Sequence, residues 1–221
     1  MNTCRRRPPF SCFLLSFTAH LVCLVAMAAG DRATSYSHPY WRVARLTEAP
    51  VIDGKIGAEE YAEVPAITGM VTWGGPSGED KSLVADVQQV TWYIGYDDEF
   101  LYIAMRSPHP EGTWPEARIK QPDIDAILWD DHTEIQIATQ GRREYATPGK
   151  GFYKIMNNAK GVFRDVWHYN GTPGTEVDWS IGGDLRCHVT PTHWDTEMAV
   201  SLKALQADDV DGKTWVMQLL R

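Results

Sequence analysis

Cysteine is scarce in the part of the sequence that would fold. Cys4, Cys12 and Cys23 lie near the N-terminus and only Cys187 falls in the body of the chain, so no disulfide can staple a folded domain. Positive charge is short as well, with 21 Lys and Arg against 29 Asp and Glu. Such an acidic surface is repelled by nucleic-acid phosphates and by anionic lipid, whereas a neutral glycan meets no such penalty. No apolar run reaches the roughly 18–20 residues that span a bilayer. There is no nucleophile-elbow G-x-S-x-G, no phosphate-cradling glycine loop and no H-E-x-x-H helix. No spacing singles out a pair of carboxylates of the kind a glycosidase uses. Internal repeats and low-complexity tracts are also missing. These gaps turn the reading away from nucleic-acid binding, membrane spanning and catalysis.

What is there begins with an export signal. Arg5-Arg6-Arg7 precedes an apolar segment over 13–26, interrupted by His20, and Ala26-Met27-Ala28 supplies a small-x-small cleavage site. Residues 1–28 are expected to be a signal peptide, 29–48 an N-terminal lead-in and 49–221 a single folded domain. That length is enough to bury a full core without staples. A secreted protein without disulfides points to a periplasmic or extracellular bacterial setting, with no membrane contact after cleavage.

Strand signals dominate the domain. Val90, Trp92, Ile94 and Tyr96 alternate with Thr91, Tyr93 and Gly95, the period of two of a strand with one face on a core. Asp97-Asp98-Glu99 reads as a turn into a second strand over 100–105, making a β-hairpin. Further strands are expected over 134–138, over 151–156 with Asn157-Asn158 ending it, and over 162–169. Others are expected over 185–189, 194–200 and 215–220. Helical turns are expected only near 57–62 and 203–207. The sequence predicts an all-β, antiparallel, jelly-roll-like β-sandwich. The stretches 74–78 and 108–122 read as surface loops, where binding residues usually sit.

Five segments in order carry a family resemblance. Pro50-Val51-Ile52-Asp53-Gly54-Lys55-Ile56 with Glu60-Tyr61 resembles "P-x-I-D-G-x-I … E-x-W", with Tyr in place of Trp. Residues 96–104 are similar to "Y-D-D-x-x-L-Y-I-A". Asp131 to Ile135 resembles "D-x-x-E-I", Trp194 to Leu205 resembles "W-x-x-E-x-A-I-P-x-x-x-L", and Trp215 to Arg221 resembles "W-x-x-N-x-x-R". This is the order found in the family 9 carbohydrate-binding modules. The resemblance implies a module that binds polysaccharide or oligosaccharide, catalyses nothing itself, and serves a glycoside hydrolase in carbohydrate catabolism. The family continues past that arginine, so the chain is expected to be truncated at Arg221, with a fused catalytic domain as one continuation.

Sugar recognition needs an exposed aromatic face for the pyranose C–H groups and planar polar side chains for its hydroxyls. Of nine tryptophans, Trp92, Trp194 and Trp215 alternate with polar neighbours and are expected in the core. Trp73, Trp114, Trp129, Trp167 and Trp179 lie in or near loops. The resemblance places a sugar-stacking tryptophan near Trp129 and a hydrogen-bonding glutamate at Glu134, with Asp131 between them. Lys154 falls where the family often carries a ligand-binding arginine, and Asn157 offers an amide. The pairs Asp97-Asp98 and Asp130-Asp131 and the run Asp208-Asp209-x-Asp211 are candidate ligands for a structural calcium ion, with turn chemistry as the plainer reading. Cys187, His188 and His193 form a weaker metal candidate, since neighbours in a strand point to opposite faces. Two other readings stay open. One is a module of a larger exported protein without a ligand of its own. The other is a b-type haem-binding relative using Met105, Met156, His132 or Lys154 as axial ligands.

Overall fold

The computed structural model describes residues 40–71, 88–140, 151–168, 176–207 and 209–221. The expected signal peptide, Trp73, the loop at 74–78 and Asp208 lie outside them. Residues 42–221 form one compact unit, with ten strands among its described residues: β1 (Ala44–Arg45), β2 (Thr91–Tyr96), β3 (Phe100–Pro108), β4 (His132–Ala138), β5 (Phe152–Asn158), β6 (Phe163–His168), β7 (Glu176–Asp178), β8 (Leu185–Val189), β9 (His193–Ser201) and β10 (Val216–Leu220). They make two five-stranded sheets, ordered β1-β2-β3-β9-β8 and β10-β4-β5-β6-β7. All pairings are antiparallel except the short β1–β2 pair. The expected β-sandwich is therefore present. Its first sheet already begins at Ala44, inside the stretch expected to be a lead-in.

Alternation explains the core. Trp92, Ile94, Leu101, Ile103, Met105, Trp194, Met198 and Val200 of the first sheet face Ile135, Ile137, Tyr153 and Ile155 of the second. The β2–β3 register sets Trp92 opposite Met105 and Ile94 opposite Ile103, so each pair enters the core from the same face. Asp97 makes the hairpin turn. One carboxylate oxygen accepts from the Glu99 and Phe100 amides at 2.7 and 2.8 Å, and the other accepts from the Tyr102 hydroxyl at 2.7 Å. β5 runs through Asn157-Asn158 rather than ending before them: Asn157 finds buried partners between the sheets, and Asn158 ends the strand and caps the β5–β6 turn. The short strands β1 and β7 carry no alternation long enough to be seen in sequence.

The outer face of the first sheet is covered by its own N-terminal segment. Leu46, Ile52, Ile56, Tyr61 and Val64 pack on Tyr93, Tyr102, Ala104 and Ala199 in a second apolar cluster. Two buried carboxylates on β9 tie this strap down. Glu197 accepts from the Gly54 and Asp53 amides at 2.8 and 3.2 Å and from the Tyr61 hydroxyl at 3.0 Å. Asp195 takes both Nε and Nη2 of Arg106, at 2.8 and 2.7 Å, and the Ile56 amide at 3.2 Å. Gly54 sits at φ +86°, and a Cβ there would lie 2.8 Å from the Cys187 backbone, so glycine is required on both counts. The Asp-Gly step and the glutamate on β9, seen in sequence as separate motifs, are thus two halves of one hydrogen-bonded joint.

Burial pushes the Glu197 carboxyl up to about 7, while its hydrogen bonds act the other way. The folded protein therefore holds this proton more tightly than the unfolded chain does. That contribution to stability is complete below the ordinary glutamate range and is lost as pH rises through about 7. Glu197→Gln should gain on the wild type by on the order of 2 kcal/mol between about pH 5 and about pH 8 in urea unfolding. A difference that stays flat across that range would show that Glu197 does not titrate there.

Candidate functional site

The outer face of the second sheet is polar and charged. On β4, Thr133, Ile135 and Ile137 turn inward and leave His132, Glu134 and Gln136 outward. On β5, Tyr153 and Ile155 turn inward and leave Lys154 outward, in register with Gln136. Lys154 Nζ lies 3.2 Å from Glu134 Oε2, the two side chains being 15% and 13% exposed. Gln136 Nε2 donates to the other Glu134 oxygen at 2.6 Å. Across the sheet, Arg164 donates to Glu176 at 2.7 Å and pairs with Asp125. Its guanidinium holds the Glu176 carboxyl below the usual range. The Phe152 ring stacks on His168 at 4.5 Å. This face therefore presents carboxylate, amide, ammonium and guanidinium groups whose positions are fixed by one another.

Beside it stands an exposed tryptophan. A single-turn 3-10 helix, Asp125–Trp129, packs against β4, β5 and β6 through the buried Ile127. Trp129 is 86% exposed at its end, next to Leu128 at 42%. The turn is held by Asp130, which is buried. Its carboxylate accepts from the Arg118 and Ile119 amides at 2.9 and 3.0 Å and from Asn158 Nδ2 at 2.9 Å. Burial opposes ionisation of Asp130, but these donors outweigh it and its pKa lies below the ordinary value. Asn158 in turn accepts from the Lys160 and Val162 amides, which locks the β5–β6 turn to the same frame. Trp129 is an aromatic surface whose backbone is pinned to the preceding loop and to the sheet.

Trp129 is thus open to solvent, while Glu134 and Lys154 are in direct contact with only the edges of their side chains exposed. Asn157 corrects the expectation. It is wholly buried between the sheets, accepting from the Thr133 hydroxyl and donating to Thr196 and Cys187, so its amide is not available to a ligand. Asp131 keeps a side chain 42% exposed, and its carboxylate receives the Glu116 amide at 2.7 Å and Arg221 at 3.3 Å, a tie between loop and C-terminal strand. Gln136, Arg164 and Glu176 were missed. Alternation alone places Gln136 beside Glu134, but nothing in the sequence signals that β6 and β7 bring Arg164 and Glu176 together.

The remaining candidates separate in the same way. Trp92 and Trp194 are buried, Trp215 is half-buried, and Trp114 is 62% exposed. Asp97 caps the hairpin, Asp98 and Asp211 engage Arg45, and Asp209 lies 3.5 Å from Lys213. Among the described residues no three Asp, Glu, His or Cys side chains converge on a point suited to a metal. Cys187 faces inward to Asn157 and Thr196, and burial pushes its thiol up, while its neighbour His188 has the opposite parity. Met105 belongs to the core and Met156 to the outward parity of the second sheet, so the two cannot clamp one group between them.

No protein-family model and no curated protein sequence gives a significant match to the chain. Among the solved structures that match it in shape are two of family 9 carbohydrate-binding modules from Caldicellulosiruptor kristjanssonii. One, in complex with cellotriose, superposes with a TM-score of 0.52 at 12% identity over 80% of this chain and 73% of that one. The other, in complex with glucose, gives 0.48 at 11% identity over 80% and 74%. The chain has the fold of a family 9 carbohydrate-binding module.

Asp130 is the support on which the Trp129 turn rests. Asp130→Ala should cost about 2–4 kcal/mol in urea unfolding, because two backbone amides and the Asn158 amide lose their buried acceptor. A loss under about 0.5 kcal/mol, the range of ordinary surface changes, would show that the carboxylate is not what holds the turn.

Proposed function

We propose that the chain is a non-catalytic module that binds a neutral β-glucan or related oligosaccharide on the outer face of the second sheet. The observation that carries this reading is the exposed indole of Trp129, at the end of a short helix that packs on the strands carrying Glu134, Gln136 and Lys154. A pyranose offers C–H groups to an indole face and pairs of hydroxyls to planar polar groups. Glu134 accepts from a hydroxyl, Lys154 donates to one, and Gln136 does either. The ion pair keeps both charges in place before a ligand arrives, so little ordering is required on binding. The structure solved with cellotriose shares this fold, and that ligand class is carried over here on the chemistry of the face. The acidic balance of the sequence favours a neutral glycan over a polyanionic one. Secretion, and service to a glycoside hydrolase as an accessory module, complete the proposal. Both rest on the N-terminal sequence and on the family resemblance.

One observation favours the reading without a ligand. Glu134 and Lys154 already satisfy each other, as groups with only a structural role would. Isothermal titration with cello- and xylo-oligosaccharides, together with affinity electrophoresis on soluble glucans and xylan, separates the two. Trp129→Ala is expected to weaken binding by about tenfold or more and to leave the melting temperature unchanged, since the ring is exposed. Lys154→Met should weaken binding as well, by leaving Glu134 without its cation. Equal binding by wild type and Trp129→Ala, or no retention on any of these glycans, overturns the proposal.

A further inference from the structure

The first sheet has a small hollow of its own where the strap crosses β2 and β3. It has a volume of about 220 Å³ and is lined by Ile56, Gly57, Ala58, Tyr61, Tyr93 and Arg106. We infer that this hollow is a second saccharide site, one that takes a single neutral pyranose unit.

The aromatic component is a pair of rings. Tyr61 and Tyr93 lie 5.5 Å apart and tilted by 33°. Tyr61 is buried and anchored through its hydroxyl to Glu197, while Tyr93 is half-buried. The polar component is Arg106. Its Nε and Nη2 are fixed by Asp195, and Nη2 also donates to the Ile56 carbonyl at 3.0 Å. Nη1 is left with no partner among the described residues, on a side chain 41% exposed. A guanidinium held in this way is a rigid donor beside an aromatic wall, the combination that a sugar ring with adjacent hydroxyls requires. The turn that closes the hollow is shaped by Glu60, which accepts from the Gly57 amide at 2.8 Å.

Size and charge narrow the ligand. The volume falls below the roughly 300–1,000 Å³ of pockets that hold drug-sized ligands, which suits one ring and not a chain threaded through. The Arg106 charge is balanced by Asp195 at 2.7 Å, and Glu60 and Glu197 stand nearby. His193, 3.7 Å from Asp195, is kept towards its neutral form by burial. No net positive charge remains to draw an anion, so a hexose or pentose is favoured over a uronate or a phosphate. The two sites lie on outer faces of different sheets, and neither shares a residue with the other.

The test uses the full chain carrying Trp129→Ala, so that its outcome is independent of the first site. Glucose or xylose is titrated against the ¹⁵N-labelled protein. The amides of Gly57, Ala58 and Tyr93 should shift and saturate at millimolar sugar, the range for so small a ligand. Tyr93→Ala should weaken this response at least tenfold. Ala58→Trp, which fills the hollow from an exposed position, should abolish it while an intact Trp129 in the same protein still binds cello-oligosaccharide. Retained oligosaccharide binding by the Ala58→Trp protein shows that the fold survives. The inference is overturned if those amides do not move up to about 100 mM sugar, if Ala58→Trp leaves the shifts unchanged, or if glucuronate binds more tightly than glucose.

Discussion

A buried carboxylate that accepts from backbone amides is the joint on which this protein depends. Cys187 is the one cysteine among the described residues, so no disulfide joins them, and the segments that cross the sheets are fixed by acid groups instead. Asp195 and Glu197 hold the strap to the first sheet. Asp130 holds the loop at 116–119 to the second. Asp97 closes the hairpin, and the buried Asp165 receives the Ile181 amide at 2.7 Å. At Asp97 and Asp130 the donors outweigh the cost of burial, whereas at Glu197 and Asp165 burial wins and holds the carboxyl above its ordinary pKa. Each carboxylate also sets the position of a segment that has little apolar area with which to position itself.

The two outer faces have different fates for this reason. On the first sheet the strap supplies an apolar cover and the acids lie beneath it. On the second sheet the acids and bases pair with one another, and among the described residues the cover is a short 3-10 helix. That contrast explains how a sandwich with one core can offer a charged platform on one side and a small aromatic hollow on the other. The rigidity of both rests on hydrogen bonds made by an immediate neighbour: Asp130, next to Trp129 in the chain, and Asp195, directly across the β3–β9 pair from Arg106.

Much of this was legible in the sequence, and the rest was hidden for physical reasons. The β2–β3 hairpin, β4, β8, β9 and β10 announce themselves because one face is apolar and the other polar, and that alternation is local. The same alternation puts Glu134 and Lys154 outward. It also puts Asn157 inward, since that residue is three positions from Lys154, but the apparent turn chemistry of Asn157-Asn158 concealed that they continue β5. The ties of Asp131 to the Glu116 amide and to Arg221 are long-range and leave no trace in the sequence. Arg164 and Glu176 come from adjacent strands whose pairing is long-range, and β7 is too short to show a period. The five motif segments were visible as separate pieces, and only the coordinates reveal that the Asp-Gly step and Glu197 form one contact.

The joints described for Asp130 and Glu197 grip the main chain. Apart from Gly54, and from Arg118, whose charge also favours the Asp130 carboxylate, the residues whose N–H groups are held, such as Asp53 and Ile119, contribute no side-chain atom to the grip. Their identities are therefore free to drift while the architecture persists, provided the acid remains. A fold fastened in this manner tolerates wide divergence, which accords with a shared shape at 12% identity. It also leaves the segments beside Trp129 open to being rewritten, so that one scaffold can be fitted to different ligands without being rebuilt.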